Sequence, residues 1–188
     1  MITGGILAGG AGERFGGADK GWLTHAGRSF IETVRDALAP QVDEIVISAN
    51  RNLARYAALG HCVVPDALGC GPAAGLLQLL DAAQHPWVLC VPCDALSLPP
   101  TLAREMLDAQ WAEEADIVVL HHDERVHPTC CLAMRALAPD LRQYLKEGHS
   151  ALGRWQSRHR VAHLRVEQPI VNVNDAEALA AFARGSTS

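Results

Sequence analysis

Two periodicities take turns along the 188-residue chain. Short apolar runs predict strands at Thr3 to Leu7, Glu44 to Ser48, His61 to Val64, Trp87 to Val91 and Ile117 to Leu120. Between them, apolar residues recur at helical spacing: Phe30, Ile31, Val34 and Leu38, then Leu102, Met106 and Ala109. The stretch Ala73 to Ala83 is apolar almost all round, which predicts a buried helix. Beyond Leu120 the rhythm changes. Thr129 to Met134 and Val161 to Val166 predict further strands, and Leu137, Leu141, Tyr144 and Leu145 mark a helix between them. Asn174 with Glu177 three residues on gives an N-cap for a last helix, Asp175 to Arg184.

Strands alternating with helices predict an α/β fold of three layers around a mostly parallel sheet. Residues 1–184 read as a single domain, and Gly185-Ser186-Thr187-Ser188 as a flexible tail. In open sheets of this kind ligands bind beyond the carboxyl ends of the strands. The chemistry is therefore to be sought just after Leu7, Ser48, Val64 and Val91.

Composition narrows the field. With 49% hydrophobic and 20% charged residues, the chain is neither disordered, collagen-like nor a coiled coil. Its net charge of −5 provides no global positive field for nucleic acid, so a polyanionic ligand would need a local basic pocket. The first residues lack a basic n-region, and no run approaches the roughly 18 apolar residues of a membrane span. A soluble cytoplasmic protein is expected, without a membrane partner. Its six cysteines (Cys62, Cys70, Cys90, Cys93, Cys130 and Cys131) are then reduced thiols.

The loop after the first strand, Ala8 to Lys20, contains five glycines together with Arg14 and Lys20. Glycine permits close approach and positive φ, and successive N–H groups make an anion nest, so this loop suits phosphates. It follows neither the Walker nor the Rossmann spacing, and a flexible surface loop is the plain alternative. Asp94 follows the fourth strand, where a carboxylate suits Mg²⁺, although Asp is also common in turns. Asp66 after the third strand has the same ambiguity. Gly75 inside the buried helix, with Gly71 and Pro72 at its start, points to close packing by a flat base or by the sheet. Cys90 and Cys93 lack a second ligand pair and read as buried inert thiols. His121, His122, Asp123 and His127 read as surface groups around a turn.

Taken jointly, the pattern resembles the molybdenum cofactor guanylyltransferase family (molybdopterin-guanine dinucleotide biosynthesis protein A). The resemblance is carried by Leu7-Ala8-Gly9-Gly10, Arg14, Gly16-Gly17 and Asp19-Lys20-Gly21, then by Asp66, Gly71-Pro72-Ala73-Ala74-Gly75 and Pro92-Cys93-Asp94. It closes with His127-Pro128-Thr129 and Asn172-Val173-Asn174, and so covers nearly the whole chain. It implies a Rossmann-like nucleotidyltransferase domain that moves GMP from GTP onto the terminal phosphate of molybdenum–molybdopterin and releases pyrophosphate.

By that resemblance Leu7, Ala8, Gly9 and Gly10 meet the nucleotide through their backbone, Lys20 binds its phosphates and Asp66 belongs to the GTP site. Asp94 ligates Mg²⁺ and touches the nucleotide, Arg14 faces the triphosphate, and backbone between Gly71 and Gly75 helps to read the base. Asn172 and Asn174 lie towards the pterin. Transient contact with molybdopterin-handling or molybdoenzyme-maturation proteins is a further expectation.

The chain departs from the family pattern in three places. Ser48-Ala49-Asn50 stands where Asn-Ala-Asn is usual, so either Ser48 or Asn50 makes the second-strand contact. Ala95-Leu96 replaces Thr-Pro after Asp94, and Asp175 replaces Thr after Asn174. Cytidylyl or sugar-phosphate nucleotidyl transfer, non-catalytic nucleotide binding, and a redox or metal module on Cys90 and Cys93 are the competing readings.

Overall fold

A computed structural model of the chain describes residues 1–9, 18–65 and 71–167. Nine strands and six helices follow one another in it: β1 (Ile2–Leu7), β2 (Thr24–His25), β3 (Arg28–Ser29), α1 (Phe30–Leu38), β4 (Glu44–Ala49), α2 (Leu53–Ala57), β5 (Cys62–Pro65), α3 (Pro72–Ala82), β6 (Trp87–Pro92), α4 (Leu102–Glu113), β7 (Ile117–His122), β8 (Arg125–Met134), α5 (Ala138–Lys146), α6 (Leu152–Gln156) and β9 (Val161–Arg165). Seven strands form one sheet in the order β5-β4-β1-β6-β8-β7-β9. All are parallel except β8, which runs against both its neighbours. The alternation of periods had announced this architecture. The predicted final helix, Asp175 to Arg184, and the tail lie outside the described residues.

Two apolar cores sandwich the sheet. Phe30, Ile31, Val34 and Leu38 of α1 and Leu102 and Met106 of α4 pack on one face with Ile6, Ile47 and Val91. Leu76, Leu79 and Leu80 of α3 and Leu141 and Tyr144 of α5 cover the other, with Val46, Val88 and Val119. The Ser29–Glu32 capping box starts α1, a local device worth about 1 kcal/mol. In β1 the sheet is thinned on purpose. A Cβ on Gly4 would lie 2.8 Å from Leu38 of α1, and one on Gly5 2.7 Å from Leu79 of α3, so the two helices close directly onto the strand backbone.

The structure corrects two expectations. The strand predicted from Thr129 begins at Arg125, because β7 and β8 form a tight hairpin around Asp123 and Glu124. His127 therefore lies within a strand and is only 8% exposed, not on the surface. The short β2–β3 hairpin and the five-residue helices α2 and α6 have no counterpart among the predicted elements, since so few residues show no period.

Candidate active site

Leu7 ends β1 in register with Ser48 of β4 on one side and Pro92 of β6 on the other. The ladder continues one step past this row. Ala8 N–H donates to the Ser48 carbonyl at 2.8 Å, and Cys93 N–H donates to the Leu7 carbonyl at 2.9 Å. Ala8, Gly9 and Asp94 thus leave the sheet together at its carboxyl rim, placed by backbone bonds rather than by a free loop. Gly9 passes against the side-chain amide of Asn50; a Cβ there would lie 3.2 Å from Asn50 Nδ2. The Ser48 hydroxyl is buried and makes no hydrogen bond among the described residues.

The segment Asp19-Lys20-Gly21 is held from below. Lys20–Trp22 form a 3-10 turn whose cap is Asp19. The Asp19 carboxylate accepts from Gly21 N–H at 3.3 Å, from the Tyr56 hydroxyl at 2.6 Å and from Asn52 Nδ2 at 2.9 Å. Tyr56 is fully buried; burial first, then its bond to Asp19, pushes its ionisation far upward, so it stays a donor. A side chain on Gly21 would overlap the Tyr56 hydroxyl, which gives glycine after Asp-Lys a steric reason. The Trp22 ring lies 5.0 Å from that of Tyr56, and the Arg55 guanidinium stands 3.8 Å above Trp22.

From this platform the Lys20 ammonium reaches across to pair with the Asp94 carboxylate, 74 positions away in the chain. Asp94 is 6% exposed, and a charge so buried is tolerable because it is paired. Among the described residues no cluster of three or more His, Cys, Asp or Glu could cage a metal. Mg²⁺ does not need one, since it is commonly bound by one or two carboxylates together with substrate phosphates and water. The hard oxygens of Asp94 fit a divalent ion of that kind. The neighbouring thiols do not compete for it. Cys90, Cys93, Cys130 and Cys131 are buried and free, and burial, reinforced by the charge of Asp94, holds Cys93 protonated.

The N-terminus of α3 follows the carboxyl end of β5 and so faces the same rim. Gly71 caps it at φ +76° without a side-chain cap bond, Pro72 occupies its first turn, and Gly75 is buried inside it. An uncapped helix start of this kind favours an anion. Of the residues anticipated from sequence, Leu7, Ala8, Gly9, Lys20, Ser48, Asn50, Gly71, Gly75 and Asp94 belong to these rim elements, with Lys20 and Asp94 in contact. Gly10, Arg14, Asp66, Asn172 and Asn174 lie outside the described residues.

Two features escaped the sequence reading. The Asn52–Tyr56 support of Asp19 had no motif to announce it. The β7–β8 hairpin also contributes: Arg125 to Thr129 face Pro92 and Asp94 across a cavity of about 280 Å³. Burial, then the nearby Arg125, His122 and His121, lowers the pKa of His127, which favours a neutral imidazole. Its one signal in the sequence was the triplet His127-Pro128-Thr129.

Comparison with known proteins agrees with this geometry. Residues 4–167 match the family model of the MobA-like NTP transferase domain. A molybdenum cofactor guanylyltransferase of Burkholderia vietnamiensis is 42% identical, over 97% of this chain and 96% of that protein. Among solved structures, the molybdopterin-guanine dinucleotide biosynthesis protein A of Archaeoglobus fulgidus superposes with a TM-score of 0.81 at 17% identity, covering 98% of each chain. A Mycobacterium tuberculosis protein determined in complex with manganese superposes with a TM-score of 0.73 at 20% identity, over 97% of this chain and 98% of that one. With the rim geometry and a full-length relative in accord, the chain belongs to the molybdenum cofactor guanylyltransferase family, on a MobA-like NTP transferase domain.

Proposed function

We propose that this protein transfers GMP from GTP to the terminal phosphate of molybdenum–molybdopterin, with Mg²⁺ as the metal. The observation that carries the chemistry is the meeting of Lys20 and Asp94 at the carboxyl rim, between β1 and β6. A phosphate oxygen of the acceptor attacks the α-phosphorus of GTP. The new O–P bond forms as the bond from the α-phosphorus to the bridging oxygen breaks, and pyrophosphate leaves with that electron pair. Two anions must approach each other, so the barrier is largely electrostatic and no covalent protein nucleophile is needed.

Lys20 binds the β- and γ-phosphates and offsets the charge that grows on the leaving pyrophosphate, with Arg14 in the same role. Asp94 holds Mg²⁺, which when bound polarises the phosphoryl oxygens and orients the α-phosphate. Backbone groups of Leu7, Ala8, Gly9 and Gly10 line the nucleotide, aided by Asp66 and by the α3 start between Gly71 and Gly75. The amide of Asn50 beside Gly9 supports Asn50, rather than the buried Ser48 hydroxyl, as the second-strand contact. Asn172 and Asn174 serve the pterin side. Among the described residues no helix is long and apolar enough to cross a membrane. A cytoplasmic location and transfer of the product to molybdoenzyme-maturation proteins complete the proposed function.

Thermal unfolding with GTP, CTP and ATP, each with and without Mg²⁺, tests the nucleotide. A ligand at 100 times its Kd adds about 2.7 kcal/mol of stability. GTP with Mg²⁺ is expected to give the largest shift. An equal response to the three nucleotides, or none, would overturn the guanylyl assignment.

A further inference from the structure

Leu7, Lys20 and Asp94 are assigned above to the nucleotide, yet the cavity beside Asp94 is lined by neither Leu7 nor Lys20 and lies between the ends of β6 and β8. Its far wall is the start of β8, Arg125 to Thr129, and its near wall is the end of β6, Pro92 and Asp94. The reversed direction of β8 makes this possible. Since β8 runs antiparallel to β6 and β7, its first residues reach the rim where the parallel strands end. The strand start is also anchored: Gln156, 3% exposed, donates its side-chain N–H to the Pro128 carbonyl at 2.8 Å. At about 280 Å³ the cavity falls just below the usual range for drug-sized ligands, and it suits a phosphate with the first atoms of the group that bears it.

Charge says what belongs there. An anion placed next to the Asp94 carboxylate needs positive charge on its other side, and Lys20 stands on the nucleotide side of that carboxylate. On the β8 side the exposed Arg125 guanidinium takes part in no ion pair among the described residues. His121 and His122 end β7 next to it, and Arg165 is in register with His121 at the end of β9. The acidic residues of this corner, Asp123 and Glu124, are exposed at the hairpin tip, where Asp123 lies 3.5 Å from His122.

We propose that the start of β8 seats the attacking phosphate monoester of the acceptor, with Arg125 as its charged donor and the buried imidazole of His127 as its second. This rests on the reading as a nucleotidyl transferase and adds where the second substrate's anion docks. Arg125 grips two phosphate oxygens through its planar fork. His127 donates one hydrogen bond to one of these same two oxygens, so that the third non-ester oxygen stays free to attack, and it adds no charge to a pocket that already holds Lys20 and a metal-bound triphosphate. The remaining phosphate oxygen is left turned across the cavity towards the Asp94 side, where the α-phosphorus is bound. The seat thus aligns the nucleophile and leaves the reaction unchanged.

The test is steady-state kinetics of pyrophosphate release, with molybdenum–molybdopterin and GTP varied in turn, on R125A, H127A and H127Q. GTP binding is followed separately by thermal shift with Mg²⁺, and folding by circular dichroism. R125A, a change of an exposed side chain, is expected to raise the KM for the acceptor at least tenfold while the GTP shift stays as in the wild type. H127A is expected to raise the acceptor KM, and H127Q, which restores a donor, to recover part of that loss. An unchanged acceptor KM in R125A, or an equal rise in the KM for both substrates, would overturn the seat. A wild-type protein that releases no pyrophosphate from GTP and molybdenum–molybdopterin would instead bring down the functional reading, and the seat with it.

Discussion

The two sides of the catalytic rim are built on opposite plans. On the β1–β4 side the groups assigned among the described residues are mainly backbone atoms, with the Lys20 ammonium and the Asn50 amide, fixed by parallel ladder bonds and by the Asp19–Tyr56–Asn52 network. On the β8 side they are side chains, Arg125 and His127, presented by the one reversed strand, which is held by its ladders to β6 and β7 and by a side-chain bond from Gln156. The first arrangement suits a ligand that is the same in every turnover, where close backbone approach excludes variants. The second places recognition in a few replaceable side chains. Asp94 stands between the two and belongs to both.

If that division is right, substitutions should separate by side. D94A removes the shared group and is expected to cost at least about a thousandfold in turnover. Pyrophosphate release in a single turnover checks this, and a rate near that of the wild type with Mg²⁺ would show that the metal is held elsewhere. K20A should be the largest one-sided loss, lowering kcat/KM for GTP by roughly a hundredfold while leaving the acceptor KM within twofold. GTP titrations at fixed acceptor read it, and an unchanged GTP affinity would count against a phosphate role.

Y56F is the finer probe on the same side. It deletes one donor to Asp19, a net loss of about 1 kcal/mol, so the KM for GTP should rise roughly fivefold. The acceptor KM is expected to stay put, the mirror image of R125A. If Y56F moved both constants alike, the network would be general scaffolding instead of a support for Lys20.

The smallest expected effect is in stability against pH. His127 and His61 both have folded-state pKa values lowered chiefly by burial. Above the unfolded value of about 6.5 both states are neutral and the stability is fully present. As pH falls below that value the unfolded chain takes up protons that the folded chain refuses, so stability declines. Melting temperatures between pH 7 and 5 should therefore fall less steeply in H127Q than in the wild type. The hydrogen-bonded carboxylates Asp36 and Asp116, whose pKa values are lowered, lose their contribution only at more acid pH, which keeps the two windows apart.

The same division governs how much could be read from the sequence. Parallel strands buried on both faces are continuous apolar runs, so β1, β4 and β6 and the rim behind them were visible, along with Asp94 and Lys20 at their exits. Charges and glycines stand out against such runs. The direction of β8 was not visible, because an antiparallel strand has the same period as a parallel one and only the two-residue turn at Asp123 and Glu124 reverses it. Tyr56 was hidden for another reason. It lies 37 positions from Asp19, on a helix too short to show a period, and a buried tyrosine reads as core until its hydroxyl partner is known.

The hairpin formed by β7 and β8 is one uninterrupted stretch, residues 117–134, seated between β6 and β9 by backbone ladders and by its buried apolar residues. The wall assigned above by proposal to the second substrate is therefore a cassette. Exchanging that stretch for the corresponding hairpin of a relative would swap one acceptor preference for another in a single graft, while β1, β4 and β6 keep the choice of nucleotide. New specificities in such a scaffold can be sought by recombination at two crossover points instead of by scattered point changes.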